Sequence, residues 1–275
     1  MFNMKKFKLL SLLTGVATAA ALLVGGVQNA KADTTITVGA SANPHAIILK
    51  HVQKQLKDEG VNLKVKVYND YVLPNKALAN GDIDANYFQH KPFLDNWNKH
   101  NNGSLISVGN VHLEPIAVYS KDYKSLKDLP KGAKVDVSSN TADYGRVLQI
   151  FKDAGLITLK KGTKLSSATF DDIKTNKKNL KFVHTFEAKL MPTLYKKNDA
   201  AATVINANYA VQAGLNPKDD SIARESSSSD YANFIAVQKK DKNNPAIKKL
   251  VKALQSKETQ SWIEKKFDGA VLPAK

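Results

Sequence analysis

Tyr87, Phe88, His90 and Phe93 fall within seven residues of one another, next to Pro92 at the expected start of a helix. Such a cluster offers polarizable ring faces to an apolar or thioether group, although rings at this spacing also serve as ordinary core packing. Arg146 is a second candidate. It sits in the first turn of an expected helix, after a loop whose backbone N–H groups would help seat a carboxylate. Asp143 lies three residues earlier, so the pair can face one cleft and hold the carboxylate and ammonium of one zwitterion. Catalytic signatures are missing: there is no G-x-G-x-x-G, P-loop, H-E-x-x-H or G-x-S-x-G. The histidines (His45, His51, His90, His100, His112, His184) show no metal-ligand spacing, and there is no cysteine. Asp82 and Asp84 would share a strand face, where carboxylates are usually solvated. The chemistry on offer is recognition.

The elements that position these residues follow a regular alternation. Ile36–Val38 reads as a strand, and Asn43 is expected to cap a helix with Pro44 at its first position. Ile47, Ile48, Val52 and Leu56 keep helical spacing as far as Gly60, and Leu63, Val65 and Val67 form a second strand leading to Tyr71. A short helix behind Pro74 ends at Gly81. Ile83 and Ala85 then alternate with Asp82, Asp84 and Asn86, as in a half-exposed strand with the aromatic cluster just past its end. Open α/β sheets bind ligands beyond such strand ends. Leu105 to Tyr119 is a strand pattern broken at Glu114-Pro115. Further strands are expected at Lys134–Val137, Leu180–Val183, Ala201–Ile205 and Asn233–Gln238, a polar loop at Ser226–Ser229, and helices after Pro245. Strand–helix repetition opening the chain predicts a parallel, doubly wound α/β sheet.

The run from Asn69 to Asp95, NDYVLPNKALANGDIDANYFQHKPFLD, resembles the signature of the methionine-binding (NlpA-type) substrate-binding proteins of ABC importers. VGN (Val108–Asn110), PIAVYS (Pro115–Ser120), GR (Gly145–Arg146), NLKFV (Asn179–Val183) and VINANYA (Val204–Ala210) extend the resemblance over almost the whole chain. It implies a two-lobed periplasmic-binding-protein fold of type II, with the ligand cleft between the lobes. Lobe 1 would comprise 33–113 plus 237–275, and lobe 2 would comprise 114–236. The expected function is capture of L-methionine or a close relative (D-methionine, a short Met-containing peptide) for an importer permease and its ATPase. No cofactor, metal or catalytic step is implied, and a monomer is expected. Tyr71, Phe88, His90 and Phe93 match the family's side-chain pocket. Asn206 and Asn233 match positions that hold the ligand's polar end, and Arg146 its carboxylate. Three positions depart from the pattern: Asp143 replaces the usual asparagine, Glu114 a common aromatic and His112 a common phenylalanine. Asp143 would strengthen ammonium binding, whereas Glu114 and His112 make the pocket more polar than methionine requires.

Lys5, Lys6 and Lys8 before an apolar Leu9–Val27, then Ala30-Lys31-Ala32, read as a signal peptide (1–32) cleaved after Ala32. Without a cysteine to lipidate, the expectation is a secreted or cell-surface protein with no lipid anchor. The formal charge of +16 falls to +12 once Lys5, Lys6, Lys8 and Lys31 leave with that segment. Arginine occurs only at Arg146 and Arg224, and the lysines are scattered, which argues against a nucleic-acid partner. Two alternatives stay open: an enzyme on the same scaffold, and a basic adhesion or nucleic-acid-binding module.

Overall fold

A computed structural model of the chain describes residues 33–226 and 231–274. The expected signal peptide and its cleavage point, and most of the Ser226–Ser229 loop, lie outside the described residues. In chain order the strands are β1 (Thr34–Ser41), β2 (Val61–Tyr68), β3 (Ala85–His90), β4 (Leu105–Leu113), β5 (Ala117–Tyr119), β6 (Lys134–Ser138), β7 (Ile157–Leu159), β8 (Ile173–Asn176), β9 (Lys181–Phe186), β10 (Ala202–Ile205), β11 (Ala223–Arg224), β12 (Ala232–Gln238) and β13 (Leu272–Pro273). The α-helices are α1 (His45–Asp58), α2 (Leu73–Asn80), α3 (Lys91–Asn101), α4 (Tyr144–Asp153), α5 (Met191–Lys197), α6 (Ala207–Gln212), α7 (Pro245–Leu254) and α8 (Lys257–Phe267).

Two separate sheets organise the chain, in the orders β13-β4-β12-β3-β1-β2 and β11-β5-β10-β6-β9; β7 and β8 form a small hairpin. Each sheet has its own core. Ile36, Val38, Tyr87, Ile235 and Val237 of the first sheet meet Ile48, Leu49, Val52, Ile247, Leu250 and Ile263 from α1, α7 and α8. On its other side Ile83 and Phe234 pack with Leu78 of α2 and Leu94 of α3. Val118, Val135, Val137 and Val204 of the second sheet meet Val147, Leu148 and Phe151 of α4. This is the two-lobed α/β fold expected, with the chain crossing between sheets at Glu114–Ile116 and again before β12.

Four details differ from the sequence reading. In the first sheet the parallel arrangement holds for β2-β1-β3 only, because β12, β4 and β13 run antiparallel to their neighbours, and in the second it holds for β10-β6-β9. The third strand begins at Ala85 and all six of its residues are buried, since it lies between β1 and β12. Asp84 instead takes the turn before it, where its Oδ2 accepts from the Thr37 N–H (2.7 Å); this is a structural use of the carboxylate. Pro44, not Asn43, occupies the N-cap position of α1, with no side-chain cap. The first sheet also takes the chain back at Ala232 rather than at 237, because β12 pairs with β3 and β4 from Ala232 and Asn233 onward. Gly81 ends α2 in the left-handed region (φ 82°), as the sequence predicts.

Candidate functional site

Between the two sheets, Tyr71, Phe88, Gln89, His90, Phe93, Glu114, Asn140, Arg146, Asn206, Asn208 and Asn233 line one narrow cavity. Its volume is about 20 Å³, room for a water molecule but far short of an amino acid. A ligand of that size enters only if the two sheets part. Seven of the eight residues singled out from the sequence line this cavity. The eighth, Asp143, lies behind it.

The aromatic wall is built by the first sheet's strand ends. Tyr71 follows β2, Phe88 is on β3 and Phe93 is in the first turn of α3. Their ring centroids are 6.1 Å (Tyr71–Phe88), 5.8 Å (Tyr71–Phe93) and 5.7 Å (Phe88–Phe93) apart, tilted or edge-on as ring quadrupoles prefer. Across the gap, the Tyr71 hydroxyl donates to Asn208 Oδ1 (2.6 Å), tying this wall to α6. His90 ends β3 and caps α3: its Nδ1 accepts from the Phe93 N–H (3.3 Å). That leaves the Nε2 proton to donate to Asp143 Oδ1 (2.9 Å), a contact between the two lobes.

The opposite wall comes from the second sheet. Gly145 lets the first turn of α4 settle against the Leu165 carbonyl, where a Cβ would come within 1.8 Å of the oxygen; the next residue is Arg146. Arg146 is almost fully spoken for. Nε and Nη2 both donate to Glu225 Oε2 (2.9 Å from Nε), Nη2 also to the Glu114 carbonyl (2.7 Å), and Nη1 to Asp143 Oδ1 (3.4 Å). The guanidinium also lies 4.5 Å from the Tyr231 ring centroid. One of its five N–H groups is left for anything else. Asp143 is more saturated still: His90 and Arg146 donate to Oδ1, Asn140 (2.7 Å) and Asn206 (2.9 Å) to Oδ2. Burial pushes its carboxyl up, but the hydrogen bond from His90, the Arg146 guanidinium and the hydrogen bond from Asn206 outweigh that and hold it well below the carboxylate range.

The pairing of Asp143 with Arg146 as readers of two ends of one zwitterion therefore needs correction. They are joined to each other, and Asp143 acts as a clasp between the lobes. The free acceptor is instead Asn206 Oδ1, buried and without a partner, on an amide whose Nδ2 is fixed by Asp143. Glu225 was not visible as a site residue in the sequence, because nothing in the Ala223–Ser226 stretch distinguishes it from a solvated turn carboxylate.

Glu114, on the first crossing, completes the floor. Its Oε1 accepts from His112 Nε2 (2.7 Å) and lies 3.2 Å from His45 Nε2, and its Oε2 accepts from the Asn208 N–H (3.0 Å) near the start of α6. His45 Nε2 is also 3.0 Å from Asn233 Oδ1, and Tyr87 hydrogen-bonds His112 Nδ1. Burial lowers both imidazoles, to about 4 for His45 and about 3 for His112, and raises Glu114 against the opposing pull of His45 and Arg146. The histidines lack metal-ligand spacing in the sequence, yet the fold gathers His45, His112 and Glu114 with their ligand atoms within 4.8 Å of one another.

The NlpA lipoprotein family model matches residues 36–275. The chain belongs to this family. It is 47% identical over 250 residues to the methionine-binding lipoprotein MetQ of Bacillus subtilis (strain 168), covering 90% of each chain. Among solved structures, it is similar to a pheromone cOB1 precursor/lipoprotein of Enterococcus faecalis V583 (55% identity, TM-score 0.85, 87% of this chain and 100% of that one). It is also similar to a nutrient-binding protein of Burkholderia cenocepacia bound to methionine (46% identity, TM-score 0.82, 87% of this chain and 100% of that one). The Bacillus subtilis and Burkholderia cenocepacia relatives are named as binding proteins. The family description and the relatives' names as lipoproteins overturn the expectation of a secreted protein with no lipid anchor. The lack of cysteine in the sequence is no sufficient ground for excluding an anchor.

Proposed function

We propose that this NlpA-family protein captures methionine, or an amino acid close to it, between its two lobes and hands it to an ABC importer's permease and ATPase. The observation that carries the reading is the pairing of two unlike walls across one buried gap. Tyr71, Phe88 and Phe93 offer ring faces and edges to a thioether. Facing them, Asn206 Oδ1 offers an unpaired acceptor for an ammonium, and the remaining Arg146 N–H a donor for a carboxylate. His90 and Asn233 border both groups. Lobe 1 would comprise residues 33–113 with the chain from Ala232 onward, and lobe 2 the residues between, with the two crossings as hinge. Parting the lobes breaks the His90–Asp143 and Tyr71–Asn208 contacts, and closure around a ligand puts contacts to the ligand in their place, so affinity contains a conformational equilibrium. The relatives named methionine-binding and bound to methionine support the choice of ligand. Mass spectrometry of small molecules released by denaturing the freshly purified protein tests it. The expected result is one methionine, or a methionine-containing small molecule, per chain. Stoichiometric release of an unrelated solute would reject the reading.

A further inference from the structure

Three charged side chains are buried around the cleft, Glu114 (8% exposed), Asp143 (1%) and Arg146 (4%), and a fourth, Glu225 (9%), is largely covered. Three are carboxylates and one is a guanidinium, so the group lacks positive charge, and an unbalanced buried charge is expensive. A zwitterionic ligand adds no net charge and leaves the deficit in place. Asp143 and Glu225 share the one Arg146 guanidinium, whereas Glu114 meets Arg146 only through its backbone carbonyl, so Glu114 is the carboxylate with no hydrogen bond to a guanidinium.

We propose that His45, His112 and Glu114 form a binding site for a divalent transition-metal ion of the zinc type at the base of the cleft. The donor set, two imidazole nitrogens and one carboxylate oxygen, is one that zinc accepts with a further position left open. Tetrahedral bonds of about 2.0–2.2 Å place ligand atoms roughly 3.3–3.5 Å apart. Here Glu114 Oε1 is 2.7 Å from His112 Nε2 and 3.2 Å from His45 Nε2, and all three atoms lie within 4.8 Å. Shifts of a fraction of an ångström to about one ångström would seat an ion. Each neutral ring has only to move its proton from Nε2 to Nδ1, so no proton need leave. Tyr87, already hydrogen-bonded to His112 Nδ1, would then hold that ring in orientation. His45 Nδ1 has no partner, so the proton moved there would be an unpaired buried donor whose cost the metal bond at Nε2 has to offset. Asn233 Oδ1, 3.0 Å from His45 Nε2, is a further donor atom at hand. Glu114 and Asn233 both line the cleft cavity, so the open position faces the cleft. A proton on Glu114 would relieve the same charge deficit without any metal.

The site is independent of which solute the cleft captures, and its test reads metal alone. The full chain is stripped with chelator, dialysed against zinc chloride, and its zinc measured by elemental mass spectrometry; cobalt(II) chloride is then titrated in while visible d–d absorption is followed. The expected result is one zinc per chain and a saturable spectrum of a four- or five-coordinate cobalt ion. Glu114→Gln, which keeps the shape and an oxygen acceptor, and His112→Phe should each weaken binding about 100-fold or more. His45→Gln serves if either fails to fold. His100→Ala, at an exposed position of α3, should change nothing. No stoichiometric zinc in the wild-type chain, or the same zinc affinity in Glu114→Gln and His112→Phe, overturns the proposal.

Discussion

Two buried polar networks lie within a few residues of each other, and they differ in what they leave unpaired. Between α2 and β3, Asn75, Asn86 and Gln89 bond among themselves, with Gln89 also bordering the cleft cavity: Gln89 Nε2 to Asn75 Oδ1 (2.7 Å) and Asn86 Oδ1 (2.9 Å), Asn86 Nδ2 to Asn75 Oδ1 (2.8 Å), Asn75 Nδ2 to Gln89 Oε1 (2.9 Å). This cluster is neutral, and each of its three side-chain oxygens accepts a hydrogen bond. It locks α2 to the first sheet, as a satisfied buried network should. The cleft network is equally buried but charged. It bridges two lobes and leaves Asn206 Oδ1 and His45 Nδ1 without partners. Satisfaction marks scaffold, while charge and unpaired atoms at a separable interface mark the site.

Removing Arg146 should break that contrast most severely. Arg146→Ala strands the buried Asp143 and the largely covered Glu225 carboxylates, so the ligand-free protein should lose about 3–5 kcal/mol by denaturant unfolding. A loss confined to ligand binding, with unchanged ligand-free stability, would mean that the guanidinium is held for the ligand rather than for the fold.

Acid should separate the networks next. His45 and His112 have lowered pKa values in the folded chain, so the unfolded chain binds protons more strongly. The stability they contribute is fully present above pH 6.5, their unfolded value, and is lost as the pH falls toward about 4 and then about 3. Each imidazole contributes a slope of at most about 1.4 kcal/mol per pH unit. Glu114, raised by burial, acts in the opposite direction once it protonates. Urea unfolding of chelator-treated protein between pH 6.5 and 4 should show this slope, reduced in His112→Phe. Identical slopes in the two proteins would remove the histidines from the account.

The amide cluster should respond by a smaller amount and without pH dependence. Asn86→Ala leaves Gln89 Nε2 and the Asn75 carbonyl short of a partner, costing about 1–3 kcal/mol. Its stability curve should run parallel to wild type across the same pH range. A change in slope would show that the two networks are coupled.

Much of the scaffold was legible in the sequence because it rests on local signals. Pro74 and Gly81 bracket α2, and alternation in Leu63–Val67 marks β2, each with a physical cause in a few neighbouring residues. Where the reading failed, the deciding partner was distant. Ala85–His90 mixes polar and apolar types because Asn86 and Gln89 satisfy each other from buried positions, so alternation was mistaken for exposure. The edge strand Leu272–Pro273 is too short to carry a pattern and is defined by its pairing with His112 and Leu113. The cleft residues could be placed in one region through the resemblance, but their partners could not. Asp143 receives donors from positions 90, 140, 146 and 206, and Glu225 reaches Arg146 across 79 residues.

The most direct test of the account compares one unpaired cleft amide with one satisfied scaffold amide. L-Methionine is titrated calorimetrically into unfolded-and-refolded, ligand-free wild type, Asn206→Ala and Asn75→Ala. The account predicts one site in wild type, affinity about tenfold or more weaker in Asn206→Ala, which is about 1.4 kcal/mol, and affinity near wild type in Asn75→Ala despite its lower stability. Equal losses in the two variants, or no methionine binding by the wild-type protein, would contradict it.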